Sequence, residues 1–296
     1  MFELPDDFDA FWQQARDESL AVPLNFKRSR ANDFALDGFR VETFRFQAMD
    51  RRTLDGWIAY PPDAKGLPGF LWIPPYGRES LLPNAYGTRE GMVSLSINLH
   101  GYGPFHQEKY EPARGYLSEG ADAPETYIFR RILQDCMIAF RVLQAQIEVN
   151  ESQLGCMGMS QGAGLSLWMG AHCPGVRAVC ADMPFFGGVA GNLDRGAYRY
   201  PLKELADFIE TIPMGREQVA YTLSYYDTIH QASRCQVPTL VSLGEKDPAS
   251  RPENVRRIFD AVAAPQKRLV EYPGGHDWDS QMVDNNRTWL LEHLER

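Results

Sequence analysis

The sequence predicts an α/β fold: a mostly parallel central sheet flanked by helices, with an antiparallel start and a cap-like insertion. Three observations carry this. Short β-branched and apolar runs alternate with longer stretches whose apolar residues recur every three or four positions. The pentapeptide Gly158-Met159-Ser160-Gln161-Gly162 lies between a short buried strand at 154–157 and a helix at 163–171, which puts the serine on a strand-to-helix turn. Asp247 and His276 follow in chain order, each just after a predicted strand. Three groups from three strand ends meet only if those strands lie side by side, as in a parallel sheet.

The elements follow from local pattern. Residues 8–20 read as an N-terminal helix. Residues 39–46 and 54–60 read as two antiparallel strands around the turn at Asp50-Arg51-Arg52. Residues 69–73 and 93–99 are apolar enough to be buried on both faces, as parallel strands are. Between 127 and 143 the residues Ile128, Ile132, Cys136, Ala139, Phe140 and Leu143 share one helical stripe. After the serine turn, 176–181 is another buried strand, and about 182–224 departs from simple alternation as the cap-like insertion. Within it Pro201 opens a helix with Leu202, Leu205, Phe208, Ile209 and Ile212 on one face. Strands at 237–243 and 267–272 and helices at 252–262 and 279–294 close the chain, Asp279 capping the last helix.

At 296 residues with 44% hydrophobic content the chain can bury a large core. No linker or repeat interrupts it, so it reads as one domain, 1–296. A net charge of −9 with no basic block argues against nucleic acid and anionic membranes as partners. The acidic start, Met1-Phe2-Glu3-Leu4-Pro5-Asp6-Asp7, lacks the pattern of a secretory signal, and no apolar run is long enough to span a bilayer. A cytoplasmic location is expected. Five scattered cysteines, an odd number, read as buried free thiols.

The chemistry rests on Ser160, Asp247 and His276. The glycines flanking Ser160 have a steric purpose, because the strained turn that presents its Oγ leaves no room for neighbouring side chains. Ser160 is the candidate nucleophile, His276 the base, and Asp247 the group that holds the imidazole tautomer. Asp277 and Asp279 are the fallback acids. A tetrahedral intermediate also needs two backbone N–H donors. Gln161, at the start of the helix, supplies one. Two segments compete for the other: His100-Gly101-Tyr102-Gly103, and Pro74-Pro75-Tyr76-Gly77, with strand order favouring Tyr76. Because that donor is main chain, the Tyr76 side chain reads as dispensable. An aromatic group around the insertion, Phe185, Phe186, Tyr198, Tyr200, Tyr221, Tyr225 and Tyr226, reads as core packing or as a substrate platform. His106, His172, His230 and His293 show no metal-ligand spacing, and there is no phosphate loop or dinucleotide fingerprint. No cofactor or metal is expected.

With these residues placed, the chain resembles the acetyl xylan esterase and cephalosporin C deacetylase family, carbohydrate esterase family seven of the α/β-hydrolases. The likeness spans nearly the whole length. It rests on Pro5-Asp6-Asp7-Phe8-Asp9-Ala10-Phe11-Trp12, Glu125-Thr126-Tyr127, Gly158-Met159-Ser160-Gln161-Gly162, Thr222-Leu223-Ser224-Tyr225-Tyr226-Asp227, and the stretch from Val237-Pro238 to Asp247. The resemblance implies a cofactor-free serine esterase that removes acetyl groups from small acetylated sugars and related alcohols, as a homo-oligomer. It also implies Tyr76 as the second oxyanion donor. Three departures lie beside the substrate: Pro74-Pro75-Tyr76 where the family has His-Gly-Tyr, His100-Gly101-Tyr102 where it has Arg-Gly-Gln, and His276-Asp277 where it has His-Glu. Tyr102, Phe185 and Phe186 are the candidate substrate contacts. The rival readings are a hydrolase of larger acyl esters, lactones or peptides, and a non-catalytic binding protein on the same fold.

Overall fold

The computed structural model describes residues 3–32, 34–109, 111–194 and 199–295. Its centre is a nine-stranded sheet. The strands are β1 (Phe26–Arg30), β2 (Arg40–Gln47), β3 (Thr53–Tyr60), β4 (Leu67–Ile73), β5 (Val93–Ile97), β6 (Val149–Met159), β7 (Val176–Asp182), β8 (Thr239–Gly244) and β9 (Lys267–Tyr272). They lie in the order β1-β2-β3-β5-β4-β6-β7-β8-β9. β1, β2 and β3 are antiparallel to their neighbours, and from β5 to β9 every pairing is parallel. The antiparallel start and the parallel body are both as the sequence predicts.

β4 shows why its sequence is apolar throughout. Leu71 and Ile73 join the core on one face, packed with the helices α1 (Phe8–Ala21), α2 (Ile128–Gln144) and α3 (Gln161–His172). Phe70 and Trp72 alternate onto the other face, with Trp289 and Leu290 of α9 (Gln281–Leu294). α1 docks through Phe8, Phe11, Trp12 and Ala15, all buried, and the Trp12 indole N–H donates to the Tyr225 carbonyl at 3.1 Å. Burying each large side chain of this kind contributes about 1.5–3 kcal/mol. All five cysteines are free and buried. Among the described residues no helix is long and apolar enough to cross a membrane.

Several boundaries differ from the sequence reading. The sequence does not signal β1, whose one apolar residue, Phe26, gives no alternation to detect. β6 begins five residues before the predicted 154, with a polar head at Asn150, Glu151 and Ser152, and its register against β4 jumps from Val149 to Leu154. α3 begins at Gln161, directly after the serine. The last helix begins at Gln281, and Asp279 accepts that residue's N–H at 2.9 Å from just outside it. The segment between β7 and β8 holds α4 (Val189–Asp194), α5 (Leu202–Ile209), α6 (Gly215–Tyr226) and α7 (Thr228–Ala232). Ile212 lies beyond the end of α5. α8 (Pro252–Ala261) follows β8.

Candidate active site

β6 and α3 meet at Ser160, whose φ of 55° and ψ of −116° fall where a non-glycine side chain is strained. Its neighbours enforce the conformation. A Cβ at Gly162 would lie 2.0 Å from the Ile73 carbonyl oxygen, and one at Gly158 would lie 2.5 Å from the Gly162 carbonyl carbon. Both are backbone atoms that cannot step aside, so the two glycines are steric requirements. The Ser160 main chain is fastened as well. Its N–H donates to the Asp182 carbonyl at 2.9 Å, and its carbonyl accepts from Gly164 at 3.1 Å and Phe185 at 3.2 Å. The strain at Ser160 is thus held on both sides.

β8 and β9 deliver the other two groups. The loops after them are laced together: Glu245 N–H donates to the Tyr272 carbonyl at 2.8 Å and Lys246 N–H to that of Gly274 at 3.0 Å. Gly244 passes so close to Gly275 that a Cβ would lie 2.2 Å from its carbonyl oxygen. This packing brings His276 Nδ1 to 2.6 Å from Asp247 Oδ2. Asp247 is buried, and its other oxygen accepts the N–H groups of Ala249 at 2.7 Å and Ser250 at 2.9 Å. The aspartate therefore shapes its own turn and orients the histidine at once. An ionised carboxylate only accepts, so Nδ1 carries the proton and Nε2 is left as the basic nitrogen. Asp279 is occupied at the helix start, and Asp277 lines the cavity without this contact.

Ser160 and His276 line one cavity of about 810 Å³, within the size range of small-molecule sites. Tyr76, Phe185 and Phe186 line it too, and α5 contributes Leu202. Arg199, Arg251 and Asp277 give it charge. Of the remaining aromatic group, Tyr200 lines the cavity, whereas Tyr225 and Tyr226 are buried against α1, with Trp12 and Tyr226 ring centroids 5.2 Å apart. Tyr221 is exposed, and Tyr198 lies outside the described residues.

β4 lies beside β6, so the loop carrying Tyr76 is the one next to the serine turn. The rival His100-Gly101-Tyr102 follows β5, one strand further out. Its N–H groups at His100 and Tyr102 both donate to Asn98 Oδ1, at 2.9 and 3.1 Å. Burial, with the nearby Arg78 charge, holds the His100 imidazole down to about 3, so it is neutral and a poor base. Tyr102, expected to contact substrate, is not among the cavity-lining residues, and its ring stacks on His106 at 4.3 Å.

The Tyr76 side chain is engaged as well: its hydroxyl lies 2.7 Å from Glu204 Oε2 and accepts the Tyr116 N–H at 2.8 Å. Tyr116 in turn donates its hydroxyl to the Gln161 side-chain oxygen at 2.9 Å. Sequence reasoning passed over Glu204 and Tyr116. The available signal was a carboxylate beside the apolar stripe of α5.

The model of the family described as acetyl xylan esterase (AXE1) matches residues 2–293. The chain belongs to the acetyl xylan esterase family. A curated relative, acetyl esterase Axe7A from Xylanibacter ruminicola, is 24% identical over 302 residues, which cover 98% of this chain and 68% of that protein. Two solved structures are similar in fold. Acetyl xylan esterase 1 from Thermoanaerobacterium sp. JW/SL YS485 has a TM-score of 0.87 at 23% identity, covering 99% of this chain and 95% of the other. Acetyl xylan esterase from Paenibacillus sp. R4 has a TM-score of 0.87 at 24% identity, covering 99% and 96%. This member of the family is a serine carboxylesterase of the α/β-hydrolase fold that removes acetyl groups.

Proposed function

We propose that this esterase works through an acetyl-enzyme on Ser160, with His276 as base and Asp247 as the group that orients it. His276 Nε2 takes the Ser160 proton as Oγ bonds to the acetyl carbon, and the carbonyl electron pair moves onto oxygen. The Tyr76 and Gln161 backbone N–H groups are the proposed partners of that oxyanion: Gln161 opens α3, and the first N–H groups of a helix have no intrahelical acceptor, while Tyr76 lies on the loop after β4, the strand beside β6. Collapse expels the alcohol, which takes the proton from His276. Water then attacks the acetyl-enzyme by the same route, His276 accepting its proton, and acetate leaves from a restored Ser160. The observation that carries this reading is the 2.6 Å contact between His276 and Asp247 on the wall of the cavity that Ser160 lines.

The proposed substrates are small acetylated sugars and related alcohols, cephalosporin C among them, bound against Phe185 and Phe186 under the β7–β8 insertion acting as a cap on one domain. A cytoplasmic homo-oligomer completes the proposal. The resemblance supports the oligomer, and five buried free thiols suit a reducing compartment. The test is labelling by a fluorophosphonate. Stoichiometric modification of Ser160 with loss of esterase activity supports the mechanism, whereas an unlabelled Ser160 in a protein that still turns over ester contradicts it.

A further inference from the structure

At the cavity wall, residues from four separate parts of the chain form one hydrogen-bonded cluster. Tyr76 comes from the loop after β4, Tyr116 and Leu117 from the long connection before α2, Gln161 from the start of α3, and Glu204 from α5 of the insertion. Glu204 is 8% exposed, and its two carboxylate oxygens lie 2.9 and 2.7 Å from the Tyr76 hydroxyl. Its Oε2 also accepts the Leu117 N–H at 2.8 Å. A carboxylate only accepts, so the Tyr76 hydroxyl donates its hydrogen bond to Glu204 and uses its lone pairs for the N–H groups of Tyr116 at 2.8 Å and Leu117 at 3.2 Å. The approach is tight enough that a Cβ at Gly115 would lie 2.0 Å from Glu204 Oε1.

The cluster touches both residues whose backbone N–H groups are proposed to bind the oxyanion. The Tyr76 ring stacks on that of Tyr116 with centroids 4.3 Å apart and planes 24° apart. The Tyr116 hydroxyl accepts the Gly77 N–H at 3.2 Å and donates to Gln161 Oε1 at 2.9 Å. Gln161 Nε2 reaches back to the Pro75 carbonyl at 3.4 Å. Each proposed donor residue is therefore gripped by its side chain. Donors of this kind work only when held at the position the charge will occupy, and a misplacement of about 1 Å costs on the order of 10²-fold.

We infer that Glu204 is a positioning residue for the oxyanion hole: by fixing the tip of Tyr76 and the 116–117 backbone, it makes α5 of the insertion part of the catalytic frame as well as part of the cavity wall. The inference rests on the assignment of Tyr76 and Gln161 as oxyanion donors. It is distinct from the triad, because nothing in the cluster exchanges a proton with substrate.

The experiment compares wild type, Glu204→Ala, Glu204→Gln, Tyr76→Phe and Ser160→Ala on p-nitrophenyl acetate, separating kcat from KM. Glu204→Ala is expected to lower kcat by about 10- to 100-fold with KM changed by less than about threefold. Tyr76→Phe, which removes one oxygen atom and keeps the ring, should fall in the same range, and Glu204→Gln, which keeps an acceptor, should recover most of the loss. A double variant carrying Glu204→Ala and Tyr76→Phe should be little worse than the poorer single, because the two share one network. A trifluoromethyl ketone, whose adduct on the serine places an oxyanion in the hole, should weaken in parallel with kcat/KM, which a general loosening of the cavity would not produce. Wild-type kcat in a folded Glu204→Ala or Tyr76→Phe protein, or a loss confined to KM, overturns the inference while leaving Ser160 dependence intact. Wild-type turnover in Ser160→Ala would instead overturn the mechanism and this inference with it.

Discussion

His276 Nδ1 and Asp247 Oδ2 are 2.6 Å apart, and the same carboxylate accepts two backbone N–H groups through its other oxygen. With three hydrogen bonds on a buried group, Asp247 cannot reorient, so the imidazole it faces is held in one tautomer. Asp247→Asn keeps the shape but presents an amide that favours the wrong tautomer. We predict a fall in kcat of about 10⁴-fold with little loss of thermal stability. Steady-state kinetics and calorimetry on one preparation check both halves; a mild kinetic effect would return Asp277 to consideration.

Gly162 tests the steric account of the serine turn. The Ile73 carbonyl sits 2.0 Å from where a Cβ would be, and it belongs to a strand bonded on both sides. Gly162→Ala should cost about 3 kcal/mol or more, or prevent folding. Gly103→Ala, where no described atom lies within 4 Å of a Cβ, is the comparison and should stay near wild type in a denaturant titration.

Acyl preference bears on the cavity. Acetyl esters should exceed butyryl and octanoyl esters in kcat/KM, because overfilling a packed acyl pocket costs roughly 1–3 kcal/mol, about 5- to 150-fold. A p-nitrophenyl ester series reads this directly. A steady rise with chain length would favour the larger-acyl reading.

His172 carries a pH signature in stability. Burial holds its imidazole down to about 4 from an ordinary 6.5, against the Gln231 hydrogen bond, which pulls the other way. The folded protein thus binds fewer protons than the unfolded chain between those values, and stability from this group is lost as pH falls from about 6.5 towards 4. His172→Phe keeps the ring against Trp12, 5.2 Å away in the native stack, and removes the titration. Its Tm should lie below wild type at pH 8, and the gap should narrow by several degrees by pH 5, at roughly 1.4 kcal/mol per pKa unit. A gap independent of pH would show that the imidazole is solvated in the native state.

Much of this was legible because it is written in side-chain chemistry that local sequence exposes. A strand buried on both faces, such as Leu67–Ile73, has to be apolar throughout, and the serine turn needs glycine two residues to each side. Asp247 and His276 stand out because each follows such a strand. What escaped notice is held together by polar groups in positions that periodicity assigns to apolar ones. Arg28 of β1 is inward-facing, bonded to Glu148, Glu42 and the Tyr60 hydroxyl, so its strand shows no alternation. Glu204 is similar, a buried carboxylate whose partners lie 87 and 128 residues away. Tyr116 sits in a connection whose main chain bonds to side chains, a pairing no local window can detect.

The most direct test of the central claim is kcat/KM of Ser160→Ala for an acetylated sugar, measured beside wild type, with the fold of the variant verified by circular dichroism and calorimetry. A loss on the order of 10⁵- to 10⁶-fold in a protein of unchanged Tm is predicted; activity within tenfold of wild type would contradict an acetyl-enzyme on Ser160.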